Sequence, residues 1–282
     1  MTASSDAPRP EIGTTAPSTG LSANRQVIVA VLFFALSLGL AVVALAVGTA
    51  AAMMPFVLAV GPTFIAFALA WAEGGGAVRR LVHSLTIRPA RSIWYLILVI
   101  PVGWAVATVV IAVALGQPTA GLLDRVFPAV LIIPLVVLLP AFAEELAWRG
   151  FALPRLMSMM SPLSAALILA IPWSLMHITL FLPGQWYEEL AIWPGVVSIF
   201  SYSILLTWVY VRTGGSVLMT GLLHAGLNGV APIMGGVDAD ASWAIRNILA
   251  AAIAVAIVAL GGFRGTDRGF HRIDRRESPA AL

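Results

Sequence analysis

The chain has 282 residues, 60% hydrophobic and only 10% charged, with a mean hydropathy of +0.96. A soluble domain is about a quarter charged, so this composition excludes an ordinary soluble protein and describes an integral membrane one. There is no cysteine, which excludes disulfides, cysteine-ligated zinc, a thiol nucleophile and a cysteine-borne lipid anchor.

Residues 1–24 are rich in Ser, Thr, Pro and Ala, carry Asp6 and Glu11, and lack the basic start and cleavage pattern of a signal peptide. They read as a disordered tail. Apolar runs then follow at 27–47, 51–72, 93–115, 126–153, 163–182, 194–211, 215–233 and 243–262. Each approaches the roughly 20 residues that a spanning helix needs. The expected fold is all-α, a polytopic transmembrane bundle of about eight helices. No soluble domain and no repeat stands out.

All 16 basic residues are arginine. With the wealth of Ala, Gly and Val, this points to a GC-rich bacterial genome and to a bacterial cytoplasmic membrane. The loop 73–92 holds Arg79, Arg80, Arg88 and Arg91, and the tail 264–282 holds Arg264, Arg268, Arg272, Arg275 and Arg276. Arg155 and Arg212 fall on the same side if the spans alternate. The opposite loops hold Asp124 with Arg125, then Glu188 and Glu189, then Asp238 and Asp240. The positive-inside rule makes both termini cytoplasmic. It also accounts for the pI near 9.9 without a nucleic-acid partner.

Charge inside the apolar runs is costly, at about 2.5–3.5 kcal/mol per residue at a helix centre on insertion scales. Yet "PAFAEELAWRG" at 140–150 puts Glu144, Glu145 and Arg149 in one run. Glu145 and Arg149 are four residues apart and suit an ion pair across one helical turn. Glu144 sits about 100° around the helix and cannot use Arg149 in the same way. A partly desolvated carboxylate beside another is suited to general-base work.

His177 lies in "IPWSLMHITL" and His224 in "MTGLLHAGLN"; Asn228 shares a face with His224, and Trp173 with His177. Taken singly, each has a plain structural reading. A lone intramembrane His is as often a packed interhelical residue, Asn228 a helix–helix hydrogen-bond former, and Glu145–Arg149 a structural pair. Trp148, Phe151 and Trp173 are packing residues by default. Together, however, the polar groups collect in the fourth, fifth and seventh runs, and the first three are almost bare of them. His83 and His271 lie in arginine-rich segments and read as solvated. "YEELAIW" at 187–193 repeats Glu-Glu-Leu, but Trp193 stands where an arginine would be, so Glu188 and Glu189 read as solvated loop acids.

"EELAWRG", "WSLMH" and "RTGGSVLMTGLLHAGLNG" together resemble, in order and rough spacing, the three motifs of the CPBP (ABI) family. These are the CAAX-protease and bacteriocin-processing membrane proteases, often called metalloproteases. The motifs are Glu-Glu-x-x-x-Arg-Gly, usually Phe-x-x-x-His, and a helix entry followed by His-x-x-x-Asn. The resemblance covers 126–232, helices four to seven, which would be the protease core. Residues 25–125 would be the first three helices, 233–263 the last, and 264–282 a basic cytoplasmic tail. Trp173 replaces the usual phenylalanine and keeps an aromatic, so a change of packing is expected.

The resemblance implies that Glu144 activates the attacking water and His177 helps to position it. His224 and Asn228 would stabilise the oxyanion, and Glu145 and Arg149 would hold the geometry. Such a set is sufficient for peptide hydrolysis without a nucleophilic serine. A metal is open at this point: His177, His224 and Glu144 could bind Zn with a free position, or act without it. The expected partners are a peptide or membrane-protein substrate and the lipid bilayer. For a bacterial chain the CAAX name would describe ancestry rather than substrate. Two other functions compete: a non-catalytic scaffold or bacteriocin-immunity protein, and a proton-coupled transporter. No paired halves with matching broken helices support the transporter.

One count conflicts with a single site. At 1.5 Å per residue His177 lies roughly 24 Å along its helix from Ser161, deeper than Glu144 and His224. Deviations at Pro140, Pro154, Pro162 and Pro172 are the expected remedy.

Overall fold

In lipid a backbone N–H or C=O without a partner costs several kcal/mol, so an apolar chain folds as helices that satisfy their own backbone. The computed structural model describes residues 22–74, 76–117, 137–233 and 239–264, and all regular structure among them is helical. In chain order the helices are α1 (Ala23–Ala46), α2 (Met54–Glu73), the short α3 (Ala77–His83) and α4 (Ile100–Ala114), the last entered through a 3₁₀ stretch, Ser92–Val99. Next come α5 (Leu139–Glu145), a wider π-helical stretch (Leu146–Ala152) and α6 (Leu153–Met157). Then follow α7 (Pro162–Ile178), α8 (Ile192–Arg212), α9 (Val217–Ile233) and α10 (Ala239–Ala259).

Six stretches among the described residues are long and apolar enough to cross a membrane: Asn24–Ala46, Met54–Glu73, Ser92–Ala114, Pro162–Phe181, Ile192–Arg212 and Asp240–Ala259. They coincide with six of the apolar runs. The seventh run is α9, at 17 residues. The start of the fourth run, 126–136, lies outside the described residues, as do Asp124, Arg125, Asp238, His271 and both tails, 1–21 and 265–282.

The molecule carries its apolar side chains outward and many of its polar ones inward. Trp71 and Leu260 are 80% and 84% exposed, and Phe64, Val47 and Val110 also face out. Glu145, Arg149, Ser203, Thr207 and Asn247 are buried. Ser203 of α8 donates to the Ala166 carbonyl of α7 at 2.7 Å, which shows how such groups are satisfied between helices.

The basic segments meet at one end of the bundle. Arg155 pairs with Glu73 at 2.6 Å. Ser84 accepts the Val217 N–H on its carbonyl at 3.0 Å, and Ser216 donates to the Ile87 carbonyl. Arg212 donates to the Gly262 carbonyl. The Phe181–Ile192 segment, with Glu188 and Glu189, lies at the other end of α7 and α8.

The proline deviations are only partly present. Pro140 and Pro154 fall in the first turns of α5 and α6, and Pro162 opens α7. Pro172 lies inside α7, which continues to Ile178. The departure is the π stretch before Pro154. Proline has no N–H for the Gly150 carbonyl and its ring presses on that carbonyl, so the preceding turn widens.

α5 packs against α2 and α9, α7 against α8, and α8 against α10. The α5–α9 approach depends on Gly221: a Cβ there would stand 2.6 Å from ring carbons of Phe142. Gly221→Ala should therefore cost about 1–3 kcal/mol by overpacking. Gly39→Ala, where a Cβ meets nothing within 4 Å, serves as the control in thermal unfolding in detergent. Equal melting temperatures for the two variants would refute a tight α5–α9 contact.

The cysteine-free chain also permits a direct test of sidedness. Single cysteines at Arg79 and Glu188 should label from opposite faces of a sealed membrane. Glu188→Cys is expected to react from outside, and Arg79→Cys only after permeabilisation.

Candidate active site

The two adjacent glutamates part company at once. Both end α5, but successive side chains on a helix diverge by about 100°. Glu145 accepts from Arg149 Nη1 at 2.9 Å, and both side chains are wholly buried. The same oxygen of Glu145 lies 2.8 Å from His224 Nδ1 on α9. An ionised carboxylate can only accept, so Nδ1 of His224 carries the proton and its Nε2 points elsewhere. Thr220, one turn earlier on α9, is also buried and donates its hydroxyl to the Val217 carbonyl at 3.2 Å. Glu145 thus bridges two charged or polar partners from its own segment and from α9.

Glu144, also buried, reaches α7 instead. Its Oε2 accepts from the indole Nε1 of Trp173 at 2.9 Å. Its Oε1 has no hydrogen-bond partner among the described residues.

Trp173 is the centre of the arrangement. It is 2% exposed. Its ring lies 4.4 Å from the Arg149 guanidinium carbon. It meets the imidazoles of His177 and His224 edge-on, at 5.8 and 5.9 Å between centroids. It also packs on Trp148, which joins Phe33 and Phe34 of α1 in one aromatic cluster. The guanidinium on the indole face is a cation–π contact, worth more where water is excluded.

His177 is half-buried, and its Nδ1 lies 2.9 Å from the Trp173 carbonyl. A carbonyl accepts only, so Nδ1 is the protonated nitrogen and, in the neutral ring, Nε2 is an acceptor. Asn228 lies one turn beyond His224 on α9. It is exposed and forms no hydrogen bond among the described residues.

The helices therefore bring Glu145, Arg149 and His224 into direct contact, with Glu144 and His177 joined to them through Trp173. α7 runs unbroken through Pro172, and His177 meets the other groups only by way of the Trp173 indole. Asn228 stands on the same face but outside the hydrogen-bonded cluster. As placed, His177, His224 and Glu144 do not form a zinc set, and no group of three or more His, Asp or Glu side chains among the described residues could hold a metal ion. The hydrogen bonds take up Glu144 Oε2 and Nδ1 of each imidazole, and leave Glu144 Oε1 and the two Nε2 atoms without a partner among the described residues.

Sequence reasoning missed two features. One is the indole donor: Trp173 was expected only to pack, although a buried tryptophan N–H nearly always needs an acceptor. The other is the Glu145–His224 contact, which joins positions 79 apart and has no local signature. The solvated readings hold: Glu188, Glu189 and His83 are exposed. Glu188 accepts the Gly184 N–H at 2.6 Å, and His83 contacts the Thr86 hydroxyl.

Among known proteins, residues 126–230 match the family model described as "Type II CAAX prenyl endopeptidase Rce1-like". A protein of Methanococcus maripaludis named "CAAX prenyl protease 2" is 32% identical over 100 residues, 33% of this chain and 37% of that relative. The chain therefore matches little more than a third of the relative's length.

Removing one member of a buried pair strands the other. Arg149→Met should cost about 3–5 kcal/mol, because Glu145 loses its cation where no water replaces it. Arg149→Met combined with Glu145→Gln should regain most of the loss, since no lone charge remains. Unfolding of both variants in detergent measures this; a double variant no more stable than the single one would refute the pairing.

Proposed function

We propose, from the match of residues 126–230 to the Rce1-like family model, that this integral, multi-pass membrane protein is an intramembrane endopeptidase of the CPBP family. Its substrates are peptide segments of membrane-associated proteins, and Glu144 is the general base. One observation carries the reading: Glu144 is buried with one oxygen held by the indole N–H of Trp173, whose ring also meets two imidazoles, and its other oxygen has no partner among the described residues.

The partner-free Oε1 takes a proton from water as its oxygen attacks the scissile carbonyl carbon. His177 Nε2, an acceptor while Nδ1 serves the Trp173 carbonyl, accepts a hydrogen bond from the O–H that the water keeps. The carbonyl oxygen gains negative charge as the carbon becomes tetrahedral. His224, when protonated, offers it an Nε2–H, and the Asn228 amide offers a second donor. The exposure of Asn228 suits a group that meets the substrate rather than the core. The proton on Glu144 then passes to the amide nitrogen, the C–N bond breaks, and an acid and an amine leave. Glu145 keeps the imidazole of His224 in one tautomer and orientation, as a buried carboxylate does in a hydrolytic triad. Arg149 keeps Glu145 charged and fixed.

The test compares newly formed peptide termini in membranes carrying the wild type or Glu144→Gln. Cleavage products should appear with the wild type and fall roughly 10²- to 10⁴-fold with the variant, the usual worth of a general base. Identical profiles from two folded, equally abundant proteins would overturn the reading and leave a non-catalytic membrane scaffold.

A further inference from the structure

We propose that Trp173 is the positioning residue of the general base: its indole N–H holds Glu144 Oε2, and so aims Oε1 at the water. This rests on Glu144 being the base. The terminal torsion of a glutamate is broad and nearly two-fold, so the carboxylate alone would not fix which oxygen faces the substrate. The Arg149 cation lies within electrostatic reach of Glu144 and would draw it toward the Glu145 pair. Trp173 opposes that pull in two ways. Its face takes the guanidinium at 4.4 Å, and its edge gives Glu144 a charge-assisted hydrogen bond at 2.9 Å.

The donor itself is rigid. An indole has one N–H and two torsions, and this one is packed by Trp148, His177 and His224 at 2% exposure. Phenylalanine, the usual residue at this place in the motif, would supply a face for Arg149 but no donor. The departure at position 173 is therefore a change in how the base is held.

Two replacements separate ring from donor. Trp173→Phe keeps an aromatic face. Site-specific 3-benzothienylalanine keeps the whole bicyclic shape and lacks only the N–H. The substrate is a fluorogenic peptide spanning a cleavage site found with the wild type. Both replacements should lower kcat about 10- to 100-fold, the worth of a hydrogen bond to a charged group. KM should stay unchanged, because the indole acts through Glu144. A second readout needs no turnover: the Trp173 indole 15N–1H resonance, assigned by its loss in Trp173→Phe, should move on Glu144→Ala.

Full kcat with benzothienylalanine would overturn the inference, and so would a KM rise at constant kcat or an indole resonance that ignores Glu144→Ala. Glu144→Gln on the same peptide keeps the two readings apart. If it is inactive while benzothienylalanine is fully active, the base stands and the positioning role falls. If Glu144→Gln is active, the base reading falls first.

Discussion

A carboxylate cut off from water must find its counter-charge inside the protein, and Glu145 finds it in Arg149, 2.9 Å away and equally buried. Neither charge is tolerable alone in such surroundings. The pair pins the end of α5 to the π stretch, because the two residues lie four apart across that junction. It engages Nη1 of Arg149 and leaves Nε and Nη2, both buried, without a hydrogen-bond partner among the described residues. It also gives Glu145 a fixed oxygen that His224 can meet from α9. The site is thus assembled outward from one ion pair: first the tautomer of His224, then the separate fate of Glu144.

Burial makes this hierarchy strict. In water, two neighbouring glutamates would exchange partners freely. Here each has a different wall. Glu145 faces α9 and its own helix, while Glu144 faces α7. The divergence follows from helical geometry alone, since adjacent side chains cannot share one face. What geometry does not supply is the partner on each wall. Those come from the packing of α5 against α9 and from Trp173 on α7. Thr63 of α2 adds a further tie by donating to the Ala143 carbonyl, one residue before Glu144.

These facts explain what could be read in the sequence. The helical class and six of the apolar runs were legible, because lipid demands long apolar stretches and leaves few alternatives. The Glu145–Arg149 pair was legible as a spacing of four. So was the divergence of Glu144. The partners across helices were not. Nothing local in 139–152 names His224 or Trp173, and hydropathy is blind to which face of a helix meets which neighbour. The widened turn at Leu146–Ala152 was half-legible: Pro154 marked the place, but its effect could equally have been a kink. For His177, counting residues from the helix start gave depth alone, without the lateral reach of an indole between it and the rest.

Trp173 shows why a conservative-looking exchange needs its hydrogen count as well as its shape. An aromatic face satisfies Arg149 whether it belongs to a benzene ring or an indole. A buried carboxylate oxygen is more demanding, because in an apolar interior the absence of a donor is paid for in full. With phenylalanine at 173, Oε2 of Glu144 would lose its only donor among the described residues and the carboxylate would be free to turn toward Arg149. With tryptophan, the carboxylate is divided: one oxygen belongs to the fold and the other is left for chemistry. The same indole carries the guanidinium on its face and both imidazoles at its edges. Its size therefore spaces the whole cluster, and its single N–H orients it.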